Sequence, residues 1–98
     1  MIGFVAKGSK ENVRITFVDN AGLVTDLSTS GPTFDVIDFG DVFKVTAASA
    51  TASGMTITVL LDTTVGGVWA EGEYRLFVKF TVGSEVIRKG PYPFQIVE

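Results

Sequence analysis

The sequence predicts an all-β protein, an antiparallel sandwich of about seven to nine strands, and two stretches carry that prediction. Met55, Ile57, Val59 and Leu61 alternate with Thr56, Thr58 and Leu60, and Tyr74, Leu76, Val78 and Phe80 alternate with Arg75, Phe77, Lys79 and Thr81. Alternation at period two sends successive side chains to opposite faces of a pleated sheet, so each strand has a core side and an outer side. Turn signals recur at the spacing of small sandwiches, about every 8 to 12 residues.

The elements follow in order. Residues 2–7 read as a first strand, ended by the polar cluster Gly8, Ser9, Lys10, Glu11 and Asn12. Residues 13–18 form a half-buried strand, with Val13, Ile15 and Phe17 on one face and Arg14 and Thr16 on the other. Asp19, Asn20, Ala21 and Gly22 make a hairpin-type turn that returns the chain through residues 23–27. Residues 28–32 read as a loop crossing between sheets. Residues 33–39 and 42–46 read as a central hairpin about Gly40 and Asp41. Residues 47–54 are small and polar, the composition of an exposed connection. Asp62, Thr63 and Thr64 read as the cap of a single helical turn, followed by a loop with adjacent glycines at Gly66 and Gly67. Gly83 and Ser84 turn the chain into residues 85–88. Pro91 and Pro93 donate no backbone bond, which puts the stretch before residues 94–97 at an edge or a bend.

Composition narrows the function. At 98 residues the chain reads as one domain, 1–98. It holds neither cysteine nor histidine, which removes disulfides, the common zinc ligands, and the Ser-His and Cys-His nucleophile pairs. Its 11 acidic and 8 basic residues are scattered, so no basic stripe is available for nucleic acid. The first residues lack the form of a signal peptide and no stretch reaches the roughly 20 apolar residues of a membrane span, so the expectation is a soluble protein in the cytoplasm. Hydrophobic residues make up 46% and charged residues 19%, with a mean hydropathy of +0.37. Typical domains carry about 25% charge, and the apolar surplus here predicts burial against other chains or, alternatively, a small sandwich whose two inner faces are simply rich in Val, Ile and Phe.

Trp69, Gly72 and Tyr74 are the most specific local signal. A tyrosine near the start of the penultimate strand of an immunoglobulin-like sandwich returns its hydroxyl to upstream backbone and locks the corner between sheets. Gly72 and Tyr74 are therefore the candidate structural corner, with Trp69 packed over the end of the core or, alternatively, exposed as a binding aromatic. Asp35, Asp38 and Asp41, with Asp19, Asn20 and Asp26, lack the ligand spacing of a calcium loop and read as turn and edge charges or, alternatively, as ligands of a divalent cation shared at an interface. The chain offers too little scaffold for a cleft around paired carboxylates.

Gly54 onward, with the runs from Met55 to Asp62 and from Trp69 to Phe80 and then Phe94, Gln95, Ile96 and Val97, resembles small immunoglobulin-like β-sandwich modules of tailed-bacteriophage virions. Residues 15–27, with their Asp/Asn-Gly turn and Val24, Asp26 and Leu27, are similar to the front of such modules. These are head decoration proteins and tail- or baseplate-associated proteins; bacterial adhesion and carbohydrate-binding sandwiches share much of the pattern. The resemblance implies a non-enzymatic virion structural protein without cofactor or metal, assembled in the host cytoplasm. It implies capsid decoration, as a homo-oligomer or lattice held to other capsid or tail subunits, with no nucleic acid or membrane contact. Partner contacts are expected along apolar strand edges and on two loops, through Val65, Val68 and Trp69 and through Pro32 and Phe34. The alternative is an adhesive module in which Trp69, Tyr74 or Tyr92 stacks on sugar rings.

Overall fold

The structure, a computed structural model, describes residues 3–19, 21–22, 24, 26–65 and 69–98. Eight strands and no helix are found among them: β1 (Gly3–Ala6), β2 (Lys10–Thr16), β3 (Thr33–Asp38), β4 (Phe43–Ser49), β5 (Thr51–Ser53), β6 (Thr56–Asp62), β7 (Gly72–Val82) and β8 (Glu85–Val97). They form a five-stranded sheet in the order β1-β8-β7-β3-β4 and a three-stranded sheet in the order β2-β6-β5. The all-β, two-sheet sandwich predicted from alternation is thus the observed architecture. Every pairing is antiparallel except that of β1 with β8.

The alternating stretches meet face to face. Ile57, Val59 and Leu61 of β6 and Tyr74, Leu76, Val78 and Phe80 of β7 are all buried, together with Phe34 and Val36 of β3 and Phe94 and Ile96 of β8. Their outward neighbours are polar or half-exposed, as period two requires. Burying such side chains contributes about 1.5–3 kcal/mol each.

Four segments differ from the sequence reading. Among the described residues of 23–27 there is no strand: β2 pairs with β6, Ile15 opposite Ile57, so the chain leaving β2 must cross to the other sheet instead of folding back. Leu27 anchors that crossing, 1% exposed, with its N–H bonded to the Gly54 carbonyl at 2.7 Å. Residues 47–54 are no loose connection. β4 runs on to Ser49 in one sheet and β5 begins at Thr51 in the other, with the Ala50 N–H bonded to the Pro32 carbonyl at 3.0 Å. Residues 62–64 form no helical turn; Asp62 accepts from the Thr64 N–H at 2.9 Å, and Thr63 is drawn into the core. Finally, residues 90–93 lie inside β8, with one extra residue accommodated where Leu76 pairs Tyr92 and Val78 pairs Lys89. The prolines sit at a bulge, the bend their chemistry allows.

Thr63 is 5% exposed and joins the start of the chain to the end of β6. Its Oγ1 accepts the N–H groups of Gly8 at 2.8 Å and Ser9 at 3.0 Å, and its own N–H donates to the Ser9 carbonyl at 3.0 Å. The strand lengths are unequal. β7 and β8 hold 11 and 13 residues while β2, β6 and β5 hold 7, 7 and 3, and the Thr81 N–H near the tip of the β7–β8 hairpin donates to the Ser30 carbonyl at 3.0 Å.

Gly90 makes the bulge possible. At φ +134° a Cβ there would lie 2.8 Å from the Leu76 carbonyl oxygen and 2.9 Å from the Phe77 ring. Gly90→Ala is expected to destabilise the protein by at least about 2 kcal/mol, because strain and a backbone clash act together. Gly8→Ala, at φ +78° with nothing within 4 Å, carries the backbone penalty alone, about 1 kcal/mol. Urea denaturation compares them, and equal losses would contradict the packing described.

Candidate functional site

Large apolar residues are unusual in a tight turn, and the turn between β3 and β4 carries two, with a third at the first position of β4. Phe39 is 72% exposed, Val42 57% and Phe43 53%. The backbone beneath them is firmly held. Asp38 Oδ1 accepts the N–H groups of Gly40 at 2.8 Å and Val42 at 3.0 Å, while the Asp38 N–H donates to the Val42 carbonyl at 3.0 Å. Arg75 donates to the Asp38 carbonyl at 3.0 Å and forms an ion pair with Asp41. Behind the turn the Phe39 ring lies against Gly72, where a Cβ would come within 3.2 Å of it. A rigid scaffold thus presents an apolar patch to solvent.

The adjoining edge is less inviting. β4 is the last strand of its sheet, and two register shifts against β3 bulge it. At one of them Ala47 takes φ 49°, and its N–H donates to Asp35 Oδ1 at 2.7 Å. Bulges twist an edge away from strand-to-strand pairing. Contact at this end therefore falls to the side chains of the turn.

Near the other face of Gly72 an aromatic row closes the core. Trp69 and Tyr74 lie 5.6 Å apart between ring centres, and Tyr74 stacks on Phe94 at 5.7 Å. The Tyr74 hydroxyl donates to the Ala70 carbonyl at 2.6 Å and Trp69 Nε1 donates to the Val65 carbonyl at 2.8 Å. Lys44 covers the outer rim of the indole, 5.6 Å from its centre.

These placements redistribute the candidates named from sequence. Gly72 and Tyr74 lie at the start of β7, with the Tyr74 hydroxyl on the Ala70 carbonyl. Trp69, at 2% exposed, and Phe34, at 5%, are core residues, and Pro32 is buried as well, so none of the three offers surface to a partner. Their apolar bulk is used inside the molecule, between the sheets. Val65 is exposed, and Val68 lies outside the described residues. Trp69 and Tyr74 are buried and offer no face for stacking on sugars, while Tyr92 is half-buried. Asp35, Asp38 and Asp41 serve as backbone acceptors and an ion-pair partner, and no acidic group suited to a metal occurs among the described residues. Sequence reasoning missed the patch of Phe39, Val42 and Phe43. The signal was present: apolar side chains flanking Gly40 and Asp41, where turn chemistry favours polar ones.

The titrating groups have structural causes. The Thr64 hydroxyl and then its N–H hold the Asp62 carboxyl below the ordinary range, with a smaller contribution from Lys10. The Ser28 N–H, then its hydroxyl, does the same for Asp26. Burial, and then the negative charge of Asp38, pushes the Tyr74 hydroxyl up.

Two predictions follow from these contacts. Tyr74→Phe removes the bond to Ala70 and is expected to cost about 1 kcal/mol, lowering Tm by roughly 4–8 °C; an unchanged Tm would contradict a structural role for the hydroxyl. A carboxyl depressed on folding stabilises the protein above its unfolded pKa and loses that contribution as pH falls through the folded value. Tm should therefore decline from about pH 5 to about pH 3, less steeply in the variant carrying Asp26→Asn and Asp62→Asn; identical slopes would show that neither turn matters. Searches against protein-family models and curated proteins find no match to this chain.

Proposed function

We propose that this chain is a non-enzymatic structural module that works by adhering to other protein subunits. The observation that carries this reading is the patch of Phe39, Val42 and Phe43, exposed on a turn that hydrogen bonds and an ion pair keep rigid. Covering such side chains yields about 1.5–3 kcal/mol each, and rigidity limits the ordering cost of doing so. Absence of histidine and cysteine from the sequence points the same way, as does the use of acidic groups as turn acceptors.

The strand order, with β1, β8, β7, β3 and β4 facing β2, β6 and β5, supports an immunoglobulin-like module. So does a tyrosine at the start of the penultimate strand bonded to backbone four residues upstream. With the resemblance in the sequence, this favours a virion component, decorating a capsid lattice by contacts between subunits. The bulged β4 edge favours docking through side chains over sheet extension.

Sedimentation of the purified protein with and without assembled capsids tests the reading. The wild type is expected to self-associate or bind capsids, and Phe39→Ser combined with Phe43→Ser to weaken that at least tenfold while the circular dichroism spectrum stays unchanged. A protein that remains monomeric and ignores capsids, or a variant that binds equally well, would overturn it.

A further inference from the structure

No strand covers the outer face of the five-stranded sheet among the described residues. Alternation puts Glu73, Arg75, Phe77 and Lys79 of β7 on that face, because Tyr74, Leu76, Val78 and Phe80 point into the core. Register places their neighbours. Phe43, Ile37, Arg75 and Pro93 form one row across four strands, and Lys79 stands between Thr33 and Arg88 in another.

The charges on this face are answered within the molecule except at two places. Arg75 is paired with Asp41, and Arg88 lies 3.9 Å from Asp35 while its guanidinium covers the Phe77 ring at 3.8 Å. Glu73 and Lys79 are exposed, and neither side chain has an ion pair or hydrogen bond among the described residues. They stand about 20 Å apart toward opposite ends of β7. Lys79 also faces Arg88 directly across the ladder, a like-charge pair that a carboxylate from outside relieves.

We propose that this face packs on the same face of a second copy, related by a two-fold axis near Leu76, so that the β7 strands run antiparallel and Glu73 of each copy meets Lys79 of the other. The inference rests on the reading of the chain as an adhering module and names one partner for it. Stacked sheets keep their strand directions within about 30°, and a two-fold axis makes the contact self-complementary. Stacking in the same sense sets Lys79 on Lys79. At about 3.3 Å per residue and about 4.8 Å between strands, the five strands present about 650 Å² of sheet, compared with about 800 Å² per partner in a standard interface. Ile37 and Phe43, with Phe77 beside the axis, fill the middle of the contact. Phe43 belongs also to the patch at the turn, so the two surfaces are continuous.

Sedimentation equilibrium of the full chain, without capsids, tests the inference. The wild type is expected to form a dimer that dissociates on dilution and weakens as ionic strength rises. Glu73→Lys and Lys79→Glu, both at exposed positions, should each weaken it at least tenfold, because each reversal sets like charges together twice. An equimolar mixture of the two variants should dimerise as well as the wild type, since every contact then again joins a carboxylate to an ammonium. Only the antiparallel arrangement gives that recovery. A protein that stays monomeric at millimolar concentration, a dimer indifferent to salt or to both reversals, or a mixture that does not recover would overturn the proposal. Capsid binding by a protein that stays monomeric would overturn this inference and leave the adhesive reading standing.

Discussion

A single apolar layer between two unequal sheets holds this molecule together. Val36, Leu76, Val78, Phe94 and Ile96 press from the larger sheet against Ile57, Val59 and Leu61 from the smaller, all at most 1% exposed. No cysteine is available to tie the sheets. A chain of this size buries only about two thirds of its unfolded surface, so every deep position counts. Trp69 and Leu27, also fully inside, close the layer at its ends, and Thr63 fastens the beginning of the chain to it by bonds to Gly8 and Ser9.

The inequality of the sheets then decides what remains outside. Phe17, Val24, Met55, Phe80 and Ile87 line a groove beside the β7–β8 hairpin, and Phe39 and Val42 in the turn between β3 and β4, with Phe43 at the start of β4, face water. The two surfaces differ in kind. At the turn the neighbouring edge is bulged and only side chains are on offer; beside residues 85–89 of β8 no strand is paired on the far edge among the described residues. The proposed adhesion to other subunits would draw on surfaces of this sort.

Much of this was legible in the residues. The alternation through Ile57, Val59 and Leu61 and through Tyr74, Leu76, Val78 and Phe80 marked the inner faces. Residues 47–54 were harder, because alanine gives little hydrophobic contrast: Ala48, Ala50 and Ala52 turn inward while Ala47, Ser49, Thr51 and Ser53 turn out, a period of two written in small side chains. Pairing was not legible. Asp19 and Gly22 suit a hairpin locally, yet β2 pairs with the distant β6, a choice made by the shared core and not by the turn. Burial of Trp69 over the end of the core was among the readings the sequence offered, whereas Pro32 and Phe34 were assigned to a partner surface because an apolar residue at the edge of a loop reads alike whether a sheet covers it or not.

Native-state hydrogen exchange of the free protein tests the central claim most directly, because it reports which backbone bonds open only with the shared layer. The slowest amides should belong to β6, β7 and the inner part of β3, exchanging only by global unfolding, while the open edge of β8 at residues 85–89 exchanges by local opening orders of magnitude faster. Exchange at that edge as slow as in the centre of β7, or fast exchange throughout β6, would contradict a structure built on one closed layer with an unsealed side.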